Sequence, residues 1–204
     1  MAGARPYLIG IAGPSCAGKS ELARRLAALL RAQILALDSY YVDLAHLPFE
    51  ERCLTNFDEP AALDHELLFG QVALLAAGVE VEKPVYDFTR HIRTAATGRL
   101  APGEFLIIEG LFTLYWEGLR ALFATKVFVA APDEICFERR RERDVRERAR
   151  TPESILEQYT RTVRPMAARY ILPTREFADL VVSGIDPLER SLAAVLAHIE
   201  SRRR

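Results

Sequence analysis

Apolar positions along the chain fall into short continuous runs that alternate with stretches of helical spacing. Tyr7-Leu8-Ile9-Gly10-Ile11-Ala12 is apolar throughout, the pattern of a strand buried on both faces. Leu22, Leu26, Leu29 and Leu30 follow at helical spacing with alanines between them, which predicts an amphipathic helix. Further on, Gln33–Leu37 reads as a second strand and Leu63–Ala77 as a helix. Phe105–Ile108 and Val127–Ala130 read as buried strands, with a long charged helix from about Pro132. Leu180–Val182 is a last strand, and Leu188–Ile199 a last helix with a loose Ser-Arg-Arg-Arg tail. Strands alternating with helices predict a parallel sheet covered on both faces. Val85–Leu100 breaks the alternation, because Thr and Gly punctuate short β-prone pieces there. It reads as a hairpin inserted in the α/β pattern.

Between the first strand and the first helix lies Gly13-Pro14-Ser15-Cys16-Ala17-Gly18-Lys19-Ser20, a complete match to G-x-x-x-x-G-K-[ST] in the strand–loop–helix setting that the motif requires. Inward-pointing backbone N–H groups make such a loop a concave anion site, reinforced by the positive end of the helix that Lys19, Ser20 and Glu21 begin. The glycines permit turns that a Cβ would obstruct. Lys19 supplies a point charge to the outer phosphates, and the Ser20 hydroxyl can ligate Mg²⁺. The loop thus predicts a bound nucleoside triphosphate and is nearly silent about the acceptor.

The 204 residues, half of them hydrophobic, are enough for one full core. A net charge of −1 gives no global reason to expect a nucleic-acid polymer or a membrane as partner. No apolar run is long enough to span a bilayer, since Glu109 and Gly110 break the best candidate. The first apolar run leads straight into the phosphate loop and does not read as a signal peptide. Cys16, Cys53 and Cys136 form no CxxC and suggest neither zinc nor a disulfide framework. The expected compartment is a reducing cytoplasm.

In parallel sheets the chemistry sits beyond the carboxyl ends of the strands. Asp38 follows the strand ending at Leu37, and Glu109 follows Ile108. Glu109 is placed to bind a metal directly or through water. Asp38 could orient an acceptor hydroxyl and take its proton, an effect worth ~10²–10⁴-fold. Either carboxylate could instead be a helix cap or loop residue.

Residues 137–151 are rich in arginine. Arg139, Arg143, Arg146 and Arg150 recur at helical spacing with Glu138, Glu142 and Glu147 interleaved. The stretch reads either as a solvated helix laced with weak ion pairs or as a lid whose arginines neutralise charge on a transferring phosphoryl. Seven arginines against three glutamates within 138–150 favour the lid.

In this order the motifs GPSCAGKS, LDSYY (37–41), NFDEPAALD (56–64), PVYDFTRHIR (84–93), IIEGLF (107–112), RRRERDVRERAR (139–150), QYTRTVRPM (158–166) and PTREFADLVV (173–182) resemble the uridine kinase (uridine-cytidine kinase) family of P-loop small-molecule kinases. The resemblance covers roughly residues 7–186. It implies a three-layer α/β P-loop kinase, 1–204, with a five-stranded parallel sheet, a hairpin flap at about 84–101 and an Arg-rich lid at about 138–151. It implies Asp38 as the catalytic carboxylate, with Tyr40 beside it in the substrate site, and Asp58 on the ribose hydroxyls. Tyr86, Phe88 and His91 would enclose the pyrimidine, with Arg150 and Gln158 on the other wall. Arg140, Arg143 and Arg148 would be lid arginines near the phosphates. Mg²⁺ with ATP or GTP and a pyrimidine nucleoside are the expected ligands, and a homotetramer the expected assembly. The chain departs from the family pattern at Ala149, where Gly is usual, and at Glu59, where His is usual, and Pro14 and Cys16 are not the commonest residues of the loop. A P-loop kinase for another small acceptor, phosphoribulokinase-like or pantothenate kinase-like, and a non-catalytic nucleotide-binding regulator stay open as alternatives.

Overall fold

The computed structural model describes residues 5–204 apart from Ala149; the side chains of Glu147 and Arg148 also lie outside the described residues. The expectations for Arg148 and Ala149 therefore fall outside what the structure describes.

Five parallel strands form the sheet: β1 (Tyr7–Ala12), β2 (Gln33–Ala36), β5 (Phe105–Glu109), β6 (Thr125–Ala130) and β7 (Leu180–Ser183), in the order β2-β5-β1-β6-β7. Because all run the same way, their carboxyl ends share one edge, which carries the loops after β1, β2 and β5. Helix α1 (Lys19–Leu30) follows the phosphate loop. The short α2 (Phe49–Cys53) lies in the segment beyond β2, followed by α3 (His65–Ala76) and α4 (Glu117–Arg120). The charged helix α5 (Asp133–Arg148) leads into α6 (Pro152–Gln158) and the three-residue α7 (Arg164–Met166), and α8 (Leu188–Arg203) closes the chain.

Successive strand residues point to opposite faces, and the core divides accordingly. On one face Ile9, Ile11, Ile107, Val127 and Val129 pack with Leu22 and Leu26 of α1 and Leu192, Val195 and Ile199 of α8. On the other, Leu8, Leu106, Ile108 and Phe128 pack with Leu68, Val72 and Leu75 of α3 and Leu119 of α4. The result is the expected three-layer sandwich.

Several boundaries differ from the sequence expectation. Leu37 leaves β2 to open a 3₁₀ turn, Leu37–Tyr40, which carries Asp38 out of the sheet edge. Helix α3 starts at His65 because Leu63 bridges to Tyr41 and the Asp64 carboxylate accepts the Leu67 amide at 3.1 Å. The hairpin begins earlier than expected: β3 (Val81–Asp87) pairs antiparallel with β4 (Ile92–Leu100), and the buried Val81 and Leu100 oppose each other at its base. The C-terminal arginines are not a loose tail. Arg202 and Arg203 continue α8, where Arg203 pairs with Glu104 at 2.6 Å and lies over the Phe105 ring. Between Gln158 and Phe177 the tract winds through two π turns, Tyr159–Val163 and Ala167–Ile171, and a 3₁₀ turn, Leu172–Phe177. Pro165 has no N–H for the regular ladder, which is why the coil widens there. Among the described residues no helix is long and apolar enough to cross a membrane.

Candidate active site

Glycine conformations shape the phosphate loop. Gly13 (φ 144°) and Gly18 (φ 106°) adopt backbone conformations that L side chains rarely reach. A Cβ on Gly13 would also lie 2.3 Å from the Val129 carbonyl oxygen. Lys19, only 7% exposed, folds back so that Nζ donates to the Pro14 carbonyl at 2.8 Å. The buried ammonium is thus pinned at the rim of the loop. Arg139 braces the loop from α5, donating from Nη1 to the carbonyls of Gly184 (2.9 Å) and Cys16 (3.4 Å). Gly184, beyond β7, is required by close approach, since a Cβ there would sit 1.9 Å from the Ala17 oxygen. Glu21 is a correction: its carboxylate pairs with Arg24 along α1, so its side chain does not join the loop.

Glu109 ends β5 facing α1, and its Oε1 accepts the Ser20 hydroxyl at 3.1 Å. Burial raises its carboxyl above the ordinary value, the Asp38 charge adds to the rise, and Lys19 and the Ser20 hydrogen bond oppose it. Asp38 is exposed at the start of its 3₁₀ turn. Lys19, Glu109 and Asp38 therefore share one electrostatic neighbourhood. Among the described residues no group of three or more His, Cys, Asp or Glu could hold a metal by itself. A hydroxyl and one carboxylate do fit Mg²⁺, which usually takes one or two protein oxygens and completes its shell with phosphate and water.

The hairpin and the segment beyond β2 form an aromatic wall. The His91 ring stacks on Phe57 (centroids 5.0 Å apart, planes 21°) and lies near Phe49 (6.5 Å). Tyr86 meets Phe88 edge-on at 5.3 Å and Tyr41 at 5.5 Å. Phe88 and Phe49 are about half exposed, whereas Tyr86 is buried and its hydroxyl has no hydrogen-bond partner among the described residues. Asp58 is 6% exposed at the foot of this wall, where Asn56 accepts its backbone N–H.

Tyr40 is a second correction. It is fully buried on the core side of its turn, and its hydroxyl donates to Gln71 at 2.7 Å. Tyr41 is the tyrosine on the site side. Its hydroxyl donates to the Phe57 carbonyl at 3.3 Å, and burial with the charges of Asp38 and Asp58 pushes its acidity well down. A 3₁₀ turn places adjacent residues on different faces, which the doublet YY could not reveal. Two arginines of the aromatic wall also escaped the sequence reading. Arg93 ties the hairpin to the Tyr40 and Tyr41 carbonyls and to the Asp64 carboxylate, at 2.8–3.1 Å. Arg52 donates to the carbonyls of Ala45, Leu47 and Arg90, joining the α2 segment to the hairpin tip.

The arginine helix does not present the face inferred from Arg139, Arg143, Arg146 and Arg150. Its buried face is Cys136, Arg140 and Asp144, at i, i+4 and i+8, and Arg150 lies beyond the end of α5. Arg140, 6% exposed, reaches Ser15 Oγ at 3.2 Å and Gln158 Oε1 at 3.2 Å, with Asp58 Oδ1 at 3.9 Å. One guanidinium therefore spans the phosphate loop, the aromatic wall and α6. Arg150 also donates to Gln158, and Arg143 pairs with Asp144 at 2.8 Å. Sequence spacing could not select the buried face because charges occupy every side of this helix.

A model of the phosphoribulokinase/uridine kinase family matches residues 8–187. The chain belongs to this family. It is 42% identical over 203 residues to a uridine kinase of Vibrio cholerae, covering 93% of this chain and 95% of the relative. It is 42% identical over 200 residues to a uridine kinase of Deinococcus deserti, covering 97% of both. Among solved structures, phosphoribulokinase from Rhodobacter spheroides superposes with a TM-score of 0.67 at 13% identity, covering 88% of this chain and 70% of that one. At that identity the likeness shows the shared fold.

Proposed function

We propose that the protein is a uridine kinase, transferring the γ-phosphoryl of ATP, or of GTP, to the 5′-hydroxyl of uridine and, as a second acceptor, cytidine. The observation that carries this reading is the junction made by Arg140, whose Nη1 lies 3.2 Å from Ser15 of the phosphate loop and 3.9 Å from Asp58 at the foot of the aromatic wall. That contact supports a reading in which donor and acceptor surfaces share one cleft. The full-length relatives named as uridine kinases support the same acceptor. Flat rings such as Tyr86, Phe88 and His91 suit a base, and a carboxylate such as Asp58 suits vicinal ribose hydroxyls. A sugar phosphate or pantothenate would leave that wall without a partner. A regulator would have no use for Asp38 beside Lys19 and Glu109.

In this mechanism the loop amides and Lys19 hold the outer phosphates, and Ser20 with Glu109 would hold Mg²⁺. The metal, when bound, neutralises charge between the β- and γ-phosphates. Asp38 accepts the proton of the 5′-hydroxyl as its oxygen bonds to phosphorus and the β–γ bridging bond breaks, giving the nucleoside monophosphate and the diphosphate. Arg143, with Arg148 by the family resemblance, offsets charge on the transferring group. The packed wall excludes water, which limits hydrolysis.

The test is a transfer assay with ATP and Mg²⁺ against uridine, cytidine, thymidine, adenosine, ribulose 5-phosphate and pantothenate, beside the Asp38→Asn protein. Turnover of uridine or cytidine alone, lost by ~10²-fold or more in Asp38→Asn, is the expected result. Preference for another acceptor would reject the assignment of the aromatic wall.

A further inference from the structure

Asp144 is a buried carboxylate of α5 that the mechanism above does not use. It is completely buried, and among the described residues the guanidinium groups of Arg143, Arg140 and Arg150 approach it. Its Oδ1 takes both Nε (2.9 Å) and Nη2 (2.8 Å) of Arg143. Its Oδ2 lies 3.6 Å from Arg140 Nε and 3.7 Å from Arg150 Nη1. Its carbonyl accepts the Arg150 N–H at 3.2 Å, where the chain turns beyond α5. These arginines in turn reach Ser15, Asp58 and Gln158.

From this convergence we infer that Asp144 is a positioning residue for phosphoryl transfer: it fixes the Arg143 guanidinium, and through Arg140 and Arg150 the nucleoside wall, in the orientation that transfer requires. The inference rests on the kinase reading and on Arg143 as a group that meets the phosphoryl. Buried ion pairs are poor sources of net stability, because desolvation offsets the attraction. A purely stabilising role would therefore be better filled by apolar packing. A long arginine with several free torsions gains most from being oriented in advance, since preorganised charge acts without reorganising at the moment of reaction. The side-on pair with Asp144 fixes one edge of the Arg143 guanidinium. The Arg143 side chain keeps 30% exposure, so part of it can still meet a ligand.

The test compares wild type, Asp144→Asn, Arg143→Gln and the charge-balanced double variant, each measured for uridine phosphorylation, for ATP hydrolysis with water as acceptor, and for affinity to a fluorescent ATP analogue. Asp144→Asn is expected to lose turnover by ~10²-fold, the scale of one preorganised donor, while analogue affinity stays within about threefold because the loop amides and Lys19 that hold the phosphates keep their places. The double variant is expected to be no slower than Arg143→Gln alone, since non-additivity marks residues that act as one unit. If Asp144→Asn does not fold, the double variant, which removes a cation with the anion, carries the comparison. Wild-type turnover in Asp144→Asn, or a double variant slowed by the product of both single losses, overturns the inference. A wild type inert towards uridine would instead reject the proposed acceptor, and the same ratios in ATP hydrolysis would still judge Asp144.

Discussion

Ser20 and Glu109, 89 positions apart in the chain, meet at 3.1 Å, the hydroxyl donating to the carboxylate. The contact joins the first turn of α1 to the end of β5, and it exists because β1 and β5 are paired neighbours in the sheet, with Ile11 opposite Glu109. It leaves a hydroxyl and a carboxylate oxygen side by side at the start of α1. The following consequences can be measured.

Lys19→Ala removes the ammonium that is buried at the loop rim and bonded to Pro14. Turnover should fall by about 10²–10³-fold, the cost of one preorganised electrostatic donor. Steady-state kinetics with ATP and uridine measure it, and a near-wild-type rate would remove Lys19 from the mechanism.

Glu109 holds its proton more tightly in the folded chain than in the unfolded one, because burial raises its carboxyl above the ordinary 4.5. Ionisation above the folded value therefore costs stability, and the cost disappears below 4.5, where both states are protonated. Glu109→Gln should raise the unfolding midpoint in mildly alkaline buffer, with the gain shrinking as the pH falls towards that ordinary value. The same variant should lose ~10–100-fold of its Mg²⁺-supported activity, the range seen when support of a metal site is removed. Thermal unfolding at several pH values decides the first part; a lower midpoint for the Gln protein in alkaline buffer would contradict it.

Gly184→Ala forces a methyl against the Ala17 carbonyl, 1.9 Å away in the present backbone. The loop or β7 must shift, costing ~1–3 kcal/mol, and ATP affinity should drop with it. Titration of a fluorescent ATP analogue and chemical denaturation test both effects. Unchanged affinity would mean that Gly184 does not set the shape of the loop.

Tyr40→Phe deletes the hydroxyl that donates to Gln71 on the core side. Stability should fall by about 1 kcal/mol, the net worth of a hydrogen bond, with kcat and uridine KM unchanged. A rise in uridine KM without loss of stability would return Tyr40 to the substrate site.

How much of this was legible beforehand depends on the range over which each feature is encoded. The places of the phosphate loop, Asp38 and Glu109 at the ends of strands could be read directly. Each depends on a strand end and the few residues beyond it, and apolar runs mark strand ends well. The hairpin was readable from its turn residues, but its base was not, because Val81 and Leu100 are fixed by burial in the core.

By itself, then, the sequence determined the α/β sandwich, the triphosphate-binding loop and the kinase lineage, because local spacing and backbone geometry suffice for them. The tertiary structure alone decided which of Tyr40 and Tyr41 is buried on the core side, which side of α5 is buried, and which partners Gly184, Arg52, Arg93 and Asp144 meet. Those residues act through partners far away in the chain: Arg93 holds the Tyr40 carbonyl 53 positions back, and Arg140 reaches Ser15 across 125. No local pattern encodes such contacts. On a helix charged on every side, only packing against the loop and Asp58 selects the face that turns inward.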